Sequence, residues 1–208
     1  ADVLSQLVNA FPHLVGLHIH IKSLFLYTSE KPCTQPISGP TVLTKLSFIV
    51  DAPTRFTAPL QQFLEEVIRF SPHLKFFKLG AQASERQFEE VFSTCRRELL
   101  RKFSFVSDEI GPQLLFHFPH LGYLSLSLLT QDINFLPELM DSLPQLEVLK
   151  LESFHYPFQF GSNVAASSPP KPHLNLKVLQ VSGLSDENMR QTLLRATNLL
   201  YLSLRSFS

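Results

Sequence analysis

The chain has few of the residues that catalytic and metal sites need. Its 208 residues include seven glycines, no tryptophan and two cysteines, Cys33 and Cys95. The cysteines have no Cys-x-x-Cys spacing and no suitably spaced histidine, so neither a zinc site nor a disulfide framework is indicated. There is no glycine-rich phosphate loop, no Gly-x-Ser-x-Gly turn and no His-Glu-x-x-His motif. We therefore expect a protein that is not an enzyme and that holds no metal or cofactor.

Net charge and targeting signals are also lacking. The chain has 18 Lys and Arg against 18 Asp and Glu, a formal net charge of zero, which argues against bulk attraction to nucleic acid or an anionic membrane. No apolar run is long enough to span a bilayer, and there is no secretory leader and no Asn-x-Ser/Thr acceptor. These absences predict an intracellular protein, in the cytoplasm or nucleus, without a nucleic-acid or membrane partner.

What the sequence does contain is a recurring phrase in which proline stands two residues before a leucine. The four copies are Phe11-Pro12-His13-Leu14, Ser71-Pro72-His73-Leu74, Phe118-Pro119-His120-Leu121 and Leu143-Pro144-Gln145-Leu146. Each of these leucines opens the pattern Leu-x-x-Leu-x-Leu, in which other apolar residues also serve. The pattern occurs eight times, and its first positions are 21 to 31 residues apart. They are Leu14, Leu43, Leu74, Leu100, Leu121, Leu146, Leu176 and Leu199. This is the signature of a leucine-rich repeat.

The repeat predicts an α/β fold, a curved leucine-rich repeat solenoid of about eight repeats. Its parallel β-sheet would line the concave face and its helices the convex face. Helical patterns follow several of the strands, at 59–70, at 84–95 behind a Ser84 cap, and from residue 185, with shorter versions at 2–10, 111–118 and 133–143.

The domain prediction follows from length and composition. With 44% hydrophobic residues, the chain can bury one elongated core, so we predict a single domain over 1–208. Two stretches rich in Pro, Ser and Gly, 28–41 and 155–173, are predicted loops that interrupt the repeats. Because the chain begins inside a repeat, we expect it to be part of a longer chain.

The histidines that recur with the repeat have simple structural interpretations. His13, His73 and His120 come just before a strand, and we expect them to bond the turn backbone. His18 and His20 lie two apart on one strand face, a spacing that suits metal chelation, but no third ligand is identifiable. We interpret them as surface residues.

Alternation along each strand directs the leucine positions inward and the residues between them to the concave sheet. On that sheet basic residues outnumber the one acidic residue, Glu152, and aromatic residues supply anchors of the kind found at binding hot spots. The acidic residues collect chiefly on the predicted helices. The predicted partner-binding residues are His18, His20, Lys45, Phe76, Lys78, Lys102, Tyr123, Lys150, Tyr201 and Arg205. We expect an acidic or phosphorylated protein ligand; the alternative is that this charge merely keeps an exposed sheet soluble.

The chain resembles the leucine-rich half of F-box proteins, especially the large fungal set. The resemblance covers nearly the whole chain, and it rests on the Phe-Pro-His-Leu-x-x-Leu phrases and on segments 143–151, Leu-Pro-Gln-Leu-Glu-Val-Leu-Lys-Leu, and 176–187. In that family an amino-terminal F-box binds the Skp1 adaptor of a cullin ubiquitin ligase, and the repeats select the substrate. The resemblance implies substrate recognition, with a Skp1-type adaptor as partner only if an F-box precedes Ala1. The alternative is a leucine-rich scaffold or enzyme inhibitor unrelated to ubiquitination.

The carboxyl end of the chain has no polar capping repeat. Residues 204–208 lie on the last predicted strand, so the final apolar layer needs a cover. We expect either that further residues continue the solenoid or that two copies form a homodimer through this end.

Overall fold

The fold is α/β, and every strand pairing is parallel. The computed structural model describes residues 2–21, 37–50, 58–80, 84–93, 97–107, 118–128, 136–153, 172–182 and 186–205. It divides into two compact units, Ala1–Val106 and Ser107–Ser208. The single repeat domain predicted over 1–208 stays a prediction, and the two units are described in turn.

Unit 1 contains four strands that pair in chain order. Its elements are α1 Asp2–Ala10, β1 Gly16–Ile21, β2 Lys45–Val50, α2 Ala58–Arg69, β3 Phe76–Gly80, α3 Glu85–Phe92, a short 3-10 turn Arg97–Leu99 and β4 Lys102–Ser107. The register keeps equivalent positions of the repeat side by side, so that Leu46 of β2 lies between Leu17 of β1 and Phe77 of β3.

Unit 2 repeats the arrangement. Its elements are β5 Tyr123–Leu128, α4 Leu136–Ser142, β6 Val148–Ser153, β7 Val178–Ser182, α5 Asp186–Arg195 and β8 Tyr201–Arg205. The strands again pair in chain order and in register, with Leu149 of β6 between Leu124 of β5 and Leu179 of β7.

The recurring proline phrase forms a tight turn before its strand. In all four copies the amide of the leucine donates to the carbonyl three residues earlier, for example Leu74 N to Ser71 O at 3.1 Å and Leu146 N to Leu143 O at 3.0 Å. Proline therefore occupies the second position of a β-turn, where its fixed φ is favourable and no amide donor is needed. This geometry explains why proline recurs two residues before the leucine.

A second set of backbone bonds sets the register between repeats. The Thr44 carbonyl accepts from both Lys75 N and Phe76 N, at 2.9 and 3.0 Å, and the Lys75 carbonyl accepts from Arg101 N and Lys102 N in the same way. Equivalent pairs join the repeats of unit 2. Each strand therefore starts at the same level as the strand before it.

The leucine positions form the core, as the alternation predicted. All three positions are buried in each of the six middle repeats. Part of the core of unit 1 is a cluster of phenylalanine rings between α3, β3 and β4, the Phe cluster, made of Phe77, Phe88, Phe92, Phe103 and Phe105. The last repeat differs, because Leu202 and Leu204 of β8 are 43% and 46% exposed.

The predicted helices are confirmed where the structure describes them. Helix α2 agrees with 59–70 within one residue, and α5 begins directly after residue 185. The Ser84 cap is a full capping box, in which Ser84 Oγ accepts from Gln87 N and Gln87 Oε1 accepts from Ser84 N.

Some predicted elements are shorter or fall outside the described residues. Helix α3 ends at Phe92, and 94–96 lie outside the described residues; α4 begins at Leu136, and 131–135 also lie outside. Most of 111–118 and of the two predicted loops is outside as well. The described parts of those loops, 37–41 and 172–173, contain no helix or strand.

The backbone-bonding role predicted for the recurring histidines does not occur at His13 or His73. Both rings are exposed and make no hydrogen bond within the described part of the chain. The bond occurs instead at His173, whose Nε2 lies 2.9 Å from the carbonyl oxygen of Leu143 in the preceding repeat. Since a carbonyl only accepts, Nε2 carries the proton there.

Candidate functional site: the outward sheet faces

The outward side of the unit 1 sheet is the first candidate surface. Each strand contributes three residues that alternate with its buried positions. We call this set the unit-1 face; it comprises Gly16, His18, His20, Lys45, Ser47, Ile49, Phe76, Lys78, Gly80, Lys102, Ser104 and Val106. The parallel register arranges these residues in rows that run across the strands.

Two rows carry the polar and aromatic groups. The first row is Gly16, Lys45, Phe76 and Lys102, and the second is His18, Ser47, Lys78 and Ser104. In the first row Phe76 lies between two lysines, and in the second Lys78 lies between two serines. Lys45 and Lys102 are exposed, Phe76 and Lys78 are half-buried, and Ser47 is buried.

The third row is less polar. It brings His20, Ile49 and Gly80 side by side. A Cβ on Gly80 would lie 3.3 Å from Ile49 Cγ2 and 3.4 Å from Ile49 Cα, so glycine allows the two strands to pack closely here. His18 and His20 are exposed, and no group of three potential metal ligands occurs among the described residues.

The unit-1 face is positively charged. None of its twelve residues is acidic, and the ammonium groups of Lys45, Lys78 and Lys102 have no ion-pair or hydrogen-bond partner within the described ranges. Among the described residues, the charges of these three lysines are therefore not neutralised.

Described carboxylates of unit 1 lie on its helices, among them Glu65 and Glu66 of α2 and Glu89 and Glu90 of α3. Glu90 accepts from Gln61 Nε2 at 2.7 Å and from Arg86 Nε at 3.0 Å. The hydrogen bond from Gln61, and then the bond and charge of Arg86, hold the pKa of Glu90 below its ordinary value. This carboxylate already has partners on its own side of the unit.

The outward face of unit 2 is mixed in charge. Its rows are Tyr123, Val148, Val178 and Tyr201; Ser125, Lys150, Gln180 and Ser203; and Ser127, Glu152, Ser182 and Arg205. Lys150 Nζ lies 6.0 Å from the centre of the Tyr123 ring, within the range of a cation–π contact. Tyr201 and Arg205 both lie on β8 and are exposed.

No family model matches the chain, and no curated protein or solved structure matches it either. Within the described ranges no helix has the length and apolar character needed to cross a membrane. The function of the candidate surfaces is therefore inferred from their geometry.

All ten predicted binding residues lie on strands, six in unit 1 and four in unit 2. The structure brings Lys45, Phe76, Lys78 and Lys102 together on three adjacent strands, and it brings Tyr123 next to Lys150. Within each unit the others are more spread out: His18 is two strands from Lys78, and Tyr201 is three strands from Tyr123.

Ser47 and Ser104 are absent from the predicted set, although they flank Lys78 in its row. Their signal was present in the sequence, because they occupy the same slot of the repeat as Lys78. Aligning the eight repeats and reading each slot across the strands identifies them.

An apolar surface lies on the last helix and strand of unit 2. Its exposed side chains are Leu193, Leu194, Leu200, Tyr201, Leu202 and Leu204, of which Leu200 is 81% exposed. These residues belong to α5, to β8 and to the turn between them. They form an apolar layer that the described residues leave uncovered.

Proposed function

We propose that the chain is a non-catalytic protein-binding module of the leucine-rich repeat class. The observation that carries the proposal is the unit-1 face, where cationic, aromatic and hydroxyl side chains stand in register on an outward sheet surface. Stacked parallel strands of this kind present rigid surfaces suited to macromolecular ligands. The repeat pattern and the proline turns before the strands support the same class.

The partner class that we propose is a protein with an acidic or phosphorylated surface. Three lysines without partners among the described residues favour an anionic ligand, and Phe76 between two of them offers an aromatic contact of the kind found at binding hot spots. No nucleic-acid or membrane ligand is proposed, because the chain as a whole is neutral.

The cellular role that we propose is substrate recognition for an F-box type ubiquitin ligase in the cytoplasm or nucleus. Its support is the resemblance of the repeat phrases to that family. A Skp1-type adaptor is a partner only if an F-box precedes Ala1, so adaptor co-purification with the full-length gene product tests this role. Full-length protein that binds its partners without the adaptor would favour a scaffold or enzyme inhibitor instead.

A direct test of the binding module uses charge reversal on the face. We expect Lys78→Glu with Lys102→Glu to abolish capture of the partners that copurify with the wild-type protein. Arg86→Glu in α3 is a matched control for each reversal, since it makes the same charge change at a helix position whose side chain is 88% exposed. Partners that remain bound to the double variant would contradict the proposal.

The apolar layer of α5 and β8 bears on assembly. Exposed leucines of this number favour contact with another apolar surface, which is either a further repeat or a second copy of the chain. Molar mass from light scattering separates a monomer from a homodimer of the 208-residue chain.

A further inference from the structure

We propose that the unit-1 face recognises a linear acidic peptide with two carboxylates three residues apart, bound across the strands at Lys45, Phe76 and Lys102. The inference rests on the proposed function and specifies its partner. It follows from the spacing of the lysines, the position of the aromatic ring and the absence of arginine from the face.

The spacing of the lysines comes from the register. Lys45 and Lys102 share a row on β2 and β4, with β3 between them. Two strand spacings separate their Cα atoms by about 9.5 Å. Lys78 lies on the middle strand one row further, so that its Cα is about 8 Å from each of the other two. The Cα atoms of the three lysines therefore form a triangle, and they are too far apart to surround a single point.

This spacing matches one backbone conformation of a bound peptide. In a polyproline II helix, residues i and i+3 project to the same side and are about 9.3 Å apart. In an extended β-strand the residues that share a side are i and i+2, about 6.7 Å apart, or i and i+4, about 13 Å apart. A polyproline II segment crossing the strands at a right angle therefore places acidic residues i and i+3 over Lys45 and Lys102.

Phe76 lies between the two lysines and determines which side chains suit the central positions of the bound peptide. Phe76 is half-buried and lies between Lys45 and Lys102 in the first row, so its ring is available to an apolar side chain at i+1 or i+2. Proline at the other central position would favour the same backbone conformation. The resulting motif is acidic, apolar, proline, acidic.

The cations favour separate carboxylates over a single phosphate. Arginine is the side chain whose planar fork matches a phosphate, and the unit-1 face has none. The arginine next to the face in sequence, Arg101, donates from Nη1 to the carbonyl of Glu98 in its own turn at 3.4 Å. Lysines spread over about 8 to 10 Å suit single charges at several points of a chain.

The distribution of acidic residues also favours binding of an anionic peptide on the unit-1 face and not on the helices. The carboxylates of α2 and α3 repel an anionic peptide from the helices of unit 1, while the twelve face residues contain no carboxylate. Complementary charge of this kind steers encounter and depends on ionic strength.

Fluorescence anisotropy with the full chain and synthetic peptides tests the proposal. A peptide with a central Glu-Leu-Pro-Glu is compared with Gln-Leu-Pro-Gln and with a peptide whose glutamates are two residues apart. Two exposed ion pairs make the first peptide about fivefold tighter than the Gln peptide at low salt, and about two- to threefold tighter than the misspaced peptide, which can still form one pair. The difference should shrink at high salt because such pairs are screened.

Matched variants assign the site. Lys45→Gln and Lys102→Gln should each weaken Glu-Leu-Pro-Glu about two- to threefold, the effect of one exposed ion pair. Neither should change binding of Gln-Leu-Pro-Gln. Arg86→Gln in α3 removes one positive charge away from the face and should leave the Glu-Leu-Pro-Glu affinity unchanged. Circular dichroism confirms that each variant is folded.

Several outcomes would overturn the inference. They are equal affinity for the Glu and Gln peptides, no measurable binding of the Glu peptide, tighter binding of a single phosphoserine peptide, and insensitivity to both lysine variants. If any of these occurs while Lys78→Glu with Lys102→Glu still abolishes capture of natural partners, the peptide assignment fails and the proposed binding module stands.

Discussion

Replacing Phe88 by alanine should remove a large part of the stability of unit 1. The side chain of Phe88, on α3, is 1% exposed and lies against the four other rings of the Phe cluster. Its ring centre is 4.3 Å from that of Phe105, 4.6 Å from Phe92 and 5.2 Å from Phe103. Through these rings Phe88 joins α3 to both β3 and β4.

The expected loss follows from burial and from the ring contacts. Phe→Ala substitutions in cores cost about 3 to 5 kcal/mol, from lost transfer free energy and from the cavity that remains. Edge-to-face and stacked ring pairs contribute about 0.5 to 1.5 kcal/mol beyond area burial. With four such neighbours we expect Phe88→Ala to cost at least the middle of this range, about 4 kcal/mol. The free energy of unfolding of an ordinary domain is about 5 to 15 kcal/mol, so this loss is a substantial fraction of the total stability.

Urea unfolding and hydrogen exchange measure the effect. With a denaturant slope of about 2 kcal/mol/M, the midpoint should fall by roughly 2 M. Amide protection should fall in α3, β3 and β4. Phe11→Ala is the control, because Phe11 is 59% exposed and the same truncation should cost less than about 1 kcal/mol. A loss below about 1 kcal/mol for Phe88→Ala would show that the ring cluster does not hold unit 1 together.

Two further predictions concern polar groups of unit 1. Glu90 should titrate below 4.5 by carboxyl NMR, and Gln61→Ala should move its pKa upward, because the Gln61 bond is the main cause of the lowering. The stability that Glu90 contributes is therefore present above its unfolded pKa and is lost as pH falls through the folded value; an unchanged pKa in the variant would contradict this. Ser71→Ala should cost about 1 to 3 kcal/mol in urea unfolding. The reason is that Ser71 Oγ lies 2.9 Å from the buried Thr41 Oγ1 and donates to the Val67 carbonyl; a change below about 0.5 kcal/mol would indicate that Thr41 finds another partner.

Much of the fold and of the face could be predicted from the sequence, because the repeat makes them local properties. The proline turn and the alternation of a strand involve only a few consecutive residues, so the leucine pattern also assigns Lys45, Phe76 and Lys102 to outward positions. Since each turn bonds to the repeat before it, the same slots then align into rows.

Other features depend on contacts between distant residues and could not be predicted this way. Ser71 stands where other copies of the phrase have Phe or Leu, and its burial is explained by Thr41, thirty residues earlier. One histidine that bonds a turn carbonyl is His173, whose ring reaches the Leu143 carbonyl of the preceding repeat, thirty residues earlier. Sequence spacing favoured His13 and His73, which the structure leaves exposed.

The in-register pairing of the strands puts the side chains that are open to ligands and the side chains that form the core on opposite sides of the sheet. In β2 the outward Ser47 is followed by the inward Phe48, and the two side chains belong to different surfaces of the sheet. A substitution at Ser104 or Lys78 therefore changes the outward surface and leaves the core residues in place, so that under the proposed function new ligands would be acquired one side chain at a time. Deleting a single residue within β2 would instead disturb both surfaces. Along the rest of that strand it would turn inward side chains outward and outward side chains inward.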